Sequence, residues 1–145
     1  MFIVAGDGPL SATLKRRAAE KGAANVRFIG YHADIRSLLA ACDVFLLPSF
    51  LELHSIAILE ALSARVPVVV SSDVGCNSQM FSDGVNGFLC DPFHPDGWVG
   101  PLSRLLSDEA LRRRVGDEGY RLCRDEYDVR RTAEAFMKLY EEMVS

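Results

Sequence analysis

Pro48-Ser49-Phe50-Leu51-Glu52-Leu53-His54-Ser55-Ile56-Ala57-Ile58-Leu59-Glu60 is the stretch on which the reading of this chain turns. It follows an apolar run, Asp43-Val44-Phe45-Leu46-Leu47, that reads as a buried strand. It ends in a helical pattern for which Ser55 is a suitable N-cap and Ile56 the first helical residue. In open α/β sheets, a loop that leaves a strand and enters a helix is where ligands bind. The free N–H groups of that first helical turn suit an anion such as phosphate. At about 100° per residue, Ile56, Ile58, Leu59 and Leu62 cover one apolar arc, and Glu60 falls just outside it. Two readings of Glu60 stand side by side: a boundary carboxylate whose head reaches water, or a group that binds a ligand. Glu52, by pattern alone, is a loop carboxylate that brackets the turn with Glu60.

Working outward, the same alternation repeats. Phe2 to Ala5 reads as a buried strand, followed by the turn Gly6-Asp7-Gly8-Pro9 and a helical pattern of Leu10, Leu14 and Ala18 that stops at Gly22. Gly6 and Gly8 are read as a structural turn, because no G-x-G-x-x-G follows. Val26 to Gly30 is a short strand, and Asp34 can cap a helix with Ile35, Leu38, Leu39 and Cys42 on one face. Val68-Val69-Val70 is a β-branched run of the kind found in a parallel sheet covered on both faces. A short helix at 77–81 and a strand at 87–90 follow. Then come Trp98, Leu102, Leu105 and Leu106 on one helical stripe, and a helix around Leu111, Val115, Leu122 and Cys123 weakened by Gly116 and Gly119. The last helix, from Asp128, carries Val129, Ala133, Phe136, Tyr140 and Met143 on one face. The expected fold is therefore α/β: a Rossmann-like parallel sheet of about five strands, with helices on both faces and right-handed crossovers. The loops at 6–9, 30–33, 48–55 and 71–77 should gather along the carboxyl edge.

The 145 residues are one domain's worth of chain, with 49% hydrophobic and 25% charged residues, as in soluble globular proteins. A net charge of −4 argues against a nucleic-acid-binding surface. The cysteines at 42, 76, 90 and 123 show no metal-ligand spacing, which fits a reducing, cytoplasmic compartment. The amino-terminal apolar run is too short for a signal peptide, and no run reaches transmembrane length.

In their order, these residues resemble the carboxyl-terminal half of family 4 glycosyltransferases, which have the two-domain GT-B fold. The resemblance rests on Ala5-Gly6-Asp7-Gly8-Pro9, Asn25-Val26-Arg27-Phe28-Ile29-Gly30, the run from Ala41 to Ser49, the Glu-x7-Glu pair Glu52 and Glu60, Pro67-Val68-Val69-Val70, and Asp83-Gly84-Val85-Asn86-Gly87-Phe88-Leu89. It implies one domain over 1–145 that binds a nucleoside-diphosphate sugar and transfers a hexosyl group, with retention, to an unknown acceptor. By the same analogy Glu52 faces the donor sugar as the catalytic-site carboxylate. Glu60 hydrogen-bonds the ribose, the backbone at Ser55, Ile56 and Ala57 holds the diphosphate, His54 lies on the donor-binding loop, and Gly30 and Tyr31 lie near the base. No metal or cofactor is implied. A carboxylate is a good acceptor for paired hydroxyls, and helix N–H groups stabilise charge on a leaving diphosphate.

The sequence also departs from the family pattern. Leu53 stands where the family has a glycine, and is expected to be strained if that position needs a positive φ. A Gly-Gly-x-Pro-Glu-like loop appears as Gly75-Cys76-Asn77-Ser78-Gln79, without the proline or the acid. The family's first strand with its Arg and Lys phosphate clamps, and its amino-terminal acceptor domain, have no counterpart here. The chain is thus expected to be a fragment or a truncated product, inactive or weakly active alone, whose last helix meets an acceptor domain or drives self-association. The rival expectation is a non-catalytic nucleotide-sugar-binding or interaction domain that keeps the fold and has lost transfer.

Overall fold

The computed structural model describes residues 1–144. In chain order the elements are β1 (Phe2–Ala5), α1 (Ser11–Glu20), β2 (Val26–Gly30), α2 (Ile35–Ala40), β3 (Phe45–Leu47), α3 (Ile56–Ser63), β4 (Val68–Ser71), α4 (Asn77–Met80), β5 (Phe88–Cys90), α5 (Val99–Ser107), α6 (Glu109–Glu126) and α7 (Val129–Val144). A single 3-10 turn, Pro95–Trp98, leads into α5. The protein is α/β with parallel sheets and helices on both faces, as the alternation of patterns predicts. The expected single sheet of about five strands is present as two, β1–β2 and β3–β4–β5. Every pairing is parallel, with Phe45 opposite Val68 and Val69 opposite Phe88. Two compact units result, Met1–Ile35 and the chain from Arg36 onward.

In the first unit, β1 pairs with β2, and Gly6 N–H donates to the Gly30 carbonyl at 2.7 Å, so the loops at 6–9 and 30–33 meet. The expectation that β1 is buried is not met: Phe2, Ile3 and Val4 are 38–41% exposed. Apolar residues make a strand buried only where another layer covers them, and a unit of this size has little to cover with. Gly22, at φ +62, follows α1 as the helix-stopping pattern requires.

In the second unit, β4 is the central strand and is fully buried, Val68, Val69 and Val70 included. Pairing on both edges and cover on both faces account for its uninterrupted β-branched run. Beside it, β3 is half-buried. The core gathers Val69, Phe88, Cys90, Trp98, Leu105, Leu111 and Val115. Trp98 is anchored in it by a hydrogen bond from Nε1 to the Asp91 carbonyl at 2.9 Å, satisfying its only polar atom.

The helix α6 runs unbroken through Gly116 and Gly119, contrary to the weakening expected there. The reason is packing against α3. A Cβ on Gly116 would run into the Arg65 carbonyl oxygen, and one on Gly119 would lie 2.6 Å from Leu62 Cδ2. The two glycines let the helices approach, and the contact offsets their intrinsic helix cost of about 1 kcal/mol each. By contrast, α7 buries no residue: Val129, Phe136, Tyr140 and Met143 are 53–77% exposed.

Candidate functional site

The site is built where the loops leaving β3 and β4 meet at the start of α3. Ile58, Ala61 and Leu62 anchor α3 in the core, fixing the direction of its N-terminus. Ser55 occupies the N-cap in an extended conformation (φ −83, ψ 116), and Ile56 opens the helix, as expected. The Ser55 side chain makes no capping hydrogen bond, so it does not satisfy a first-turn N–H group as an N-cap serine commonly does. The expected apolar arc is narrower than the pattern suggested. Ile58 and Leu62 are buried, Leu59 is half-buried, and Ile56 is 71% exposed. Ala61, from the other side of the arc, fills the contact instead.

Glu60 is exposed, its head in water, while its carbonyl accepts from Ser63 Oγ at 2.7 Å. Glu52 is half-buried on the loop after β3. Its neighbour Leu53 is exposed and has no positive φ, so the strain expected of a side chain at a glycine position is absent. The left-handed conformations fall across the gap, on Asp73 (φ 52) and Gly75 (φ 58). A Cβ on Gly75 would come to 2.5 Å of both the Glu52 and Leu53 carbonyl oxygens. Glycine is required there twice, by conformation and by space.

The loop after β4 is held from within. Asn77, buried, donates from Nδ2 to the Ser71 carbonyl at 2.8 Å. Asp73 N–H donates to Ser78 Oγ at 2.9 Å, and that hydroxyl donates back to Asp73 Oδ1 at 3.0 Å. The two loops are then joined: Cys76 N–H donates to the Leu53 carbonyl at 3.3 Å, and His54 Nδ1 lies 2.9 Å from Cys76 Sγ. The His54 ring also faces Tyr127, centroids 5.3 Å apart. Burial first, then the neighbouring Cys76, push the Tyr127 phenol up. Asn77 and Cys76 were not singled out by the sequence as site-forming residues. The signal for them is the cluster of Gly, Asn and Ser after a buried strand.

Thus Glu52, His54, Ser55, Ile56, Ala57 and Glu60 lie on one continuous loop and helix start. Gly30, at φ 66, and the exposed Tyr31 belong to the first unit and share its loop cluster. Among the described residues, no three His, Cys, Asp or Glu side chains group as a metal site, and no helix is long and apolar enough to cross a membrane.

Comparison with known proteins bears on the family and the fold. The family "Glycosyl transferases group 1" matches residues 1–122. The lipopolysaccharide core biosynthesis glycosyltransferase LpsE of Rhizobium meliloti is 31% identical over 136 residues, which are 92% of this chain and 39% of that protein. The alpha-D-kanosaminyltransferase of Streptomyces kanamyceticus is 29% identical over 98% of this chain and 37% of its own length. The chain therefore spans well under half of these curated relatives. Among solved structures, Anabaena Alr3699/HepE in complex with UDP superposes with a TM-score of 0.89 at 24% identity, over 97% of this chain and 40% of that one. The carboxyl-terminal domain of LpcC, a glycosyl transferase group 1 family protein from Francisella tularensis, gives 0.73 at 27% identity over 83% of this chain and 63% of that one.

Proposed function

This chain belongs to the glycosyl transferases of group 1, and we propose that it is the donor-binding half of a retaining family 4 enzyme. In this reading it moves a hexosyl group from a nucleoside-diphosphate sugar to an acceptor, and residues 1–145 act as one nucleotide-sugar-binding domain. The observation that carries the reading is the start of α3, uncapped by the Ser55 side chain and flanked by the loops after β3 and β4. The N–H groups of Ser55, Ile56 and Ala57 receive the diphosphate, where the helix end stabilises the charge that grows on departure. Glu60, in water, is free to accept the two ribose hydroxyls. Glu52 faces the sugar, with His54 beside it on the donor loop. The chemistry is carried by these groups without a cofactor or metal.

The backbone of Leu53 is unstrained, which removes the conformational objection to donor binding and leaves the bulk of its exposed side chain on the donor loop as the remaining one. The rival, a binding domain that has lost transfer, draws its support from the side chain of Leu53 at the family's glycine position, and from Gln79, which stands where the family pattern has an acid. In this reading an acceptor domain, or a second copy of this chain, covers the open stripe of α7. Four free cysteines fit a cytoplasmic setting.

The experiment is titration of UDP and GDP into the purified chain, followed by assay of nucleotide release from a panel of sugar nucleotides. Saturable binding with a dissociation constant on the order of millimolar is expected. Transfer by the chain alone is expected to be negligible, because holding an acceptor against the donor carbon supplies about 7–11 kcal/mol of barrier lowering. Robust turnover by the chain alone would overturn the donor-half reading, and absence of any nucleotide binding would overturn the function.

A further inference from the structure

Three contacts join the loop that carries Glu52 to the loop after β4, and two of them are made by one residue. The Cys76 N–H bond to the Leu53 carbonyl, at 3.3 Å, is longer than a typical amide hydrogen bond. Gly75 backs onto the Glu52 and Leu53 carbonyls and makes the approach possible, without holding it. The remaining contact is between side chains, His54 Nδ1 to Cys76 Sγ at 2.9 Å. The other cysteines behave differently. Cys42, Cys90 and Cys123 each donate to a backbone carbonyl, of Leu38, Gly97 and Leu59, and burial pushes all three thiols up. Their sulfurs fill space. Cys76 instead meets a polar ring, and that ring is backed on another side by Tyr127 at 5.3 Å. An imidazole with two neighbours has less rotamer freedom left to lose when a ligand binds beside it.

We propose that Cys76 and His54 form a side-chain clamp between the two loops, and that Cys76 is a positioning residue which, through His54, sets the Glu52 loop for the donor. The role in donor binding rests on the function proposed above; the clamp itself does not. Cys76 touches no reacting atom in this account. It fixes His54, two residues after Glu52 in the chain, and so narrows the conformations from which Glu52 must be recruited.

The test uses the full chain with Cys76→Ala, Cys76→Ser and His54→Phe. Two readouts are taken: hydrogen exchange of the residue-76 amide, corrected for its intrinsic rate, and UDP affinity. Loss of one hydrogen bond should speed exchange about fivefold in Cys76→Ala and His54→Phe and weaken UDP binding by a similar factor. Cys76→Ser, which keeps a hydroxyl for the imidazole, should restore both to within about twofold of wild type. A purely space-filling Cys76 would give no rescue by serine beyond what alanine gives, and that result overturns the proposal. So does unchanged exchange in Cys76→Ala and His54→Phe alike. If the wild type binds neither UDP nor GDP, the function reading fails by itself, and the exchange arm still decides whether the clamp exists.

Discussion

Helices α6 and α7 follow one another in the chain, are 18 and 16 residues long, and each carries an apolar stripe. Their surroundings are opposite. The α6 stripe is buried at Leu111, Val115, Gly116 and Gly119, against α3 and the β4 core. The α7 stripe is open along its length. The strands repeat the contrast, with β4 sealed and β1 exposed although β1 is apolar at every position. The difference teaches that an apolar stripe states a need for cover without saying what supplies it. Where cover is present, small residues mark it: Gly116 and Gly119 sit where α3 comes closest.

The comparison can be broken most forcefully at its packed end. Leu105 is fully buried in the core that α6 helps to close. Leu105→Ala should cost about 2–5 kcal/mol of stability in denaturant unfolding. A loss below 1 kcal/mol would mean that this core is looser than its burial states. Next comes the seam. Gly116→Ala improves helix propensity, yet the new Cβ runs into the Arg65 carbonyl, a backbone atom that cannot swing away. Net destabilisation of about 1–3 kcal/mol is expected. A stabilised variant would show that α3 and α6 can separate without cost. The smallest effect belongs to α7. Phe136→Glu should leave stability within about 0.5 kcal/mol, since Phe136 buries little. If the open stripe drives self-association, sedimentation will show the wild type as the larger species and the variant as monomer. Two monomers of equal stability would show that α7 is neither a dimer face nor a part of this core.

The legibility of the sequence follows the same division. The order of strands and helices and the start of α3 at Ile56 are readable because each depends on local pattern, and the parallel pairing and the meeting of the two site loops follow from that alternation through the crossover rule. Val68-Val69-Val70 reads as a covered strand by its β-branched run, and it is one. What depends on a distant partner was not readable. The apolar run of β1 looks no different from β4, yet it is exposed. Ile56 looked like a core residue and faces water, since only one side of α3 meets α6. Leu53 looked strained because glycine is expected there, whereas the positive φ sits at Gly75, on the facing loop. The Gly-x-x-Gly of α6 read as helix weakness; its spacing of three, one helical face, was the available sign of close approach. The His54–Cys76 contact spans 22 positions and no periodicity announces it.

The account rests on Glu60 as the ribose ligand at an open helix start, and one measurement bears on it most directly. UDP and GDP are titrated calorimetrically into wild type and Glu60→Ala, with unfolding curves confirming that both are folded. Glu60 is exposed and its side chain supports no other residue by a described hydrogen bond, so stability should be unchanged. Losing hydrogen bonds to a charged acceptor should weaken nucleotide binding by about 1.5–3 kcal/mol, a factor of ten or more. Equal affinities in the two proteins would return Glu60 to an ordinary boundary carboxylate and contradict the assignment of this loop as the donor site.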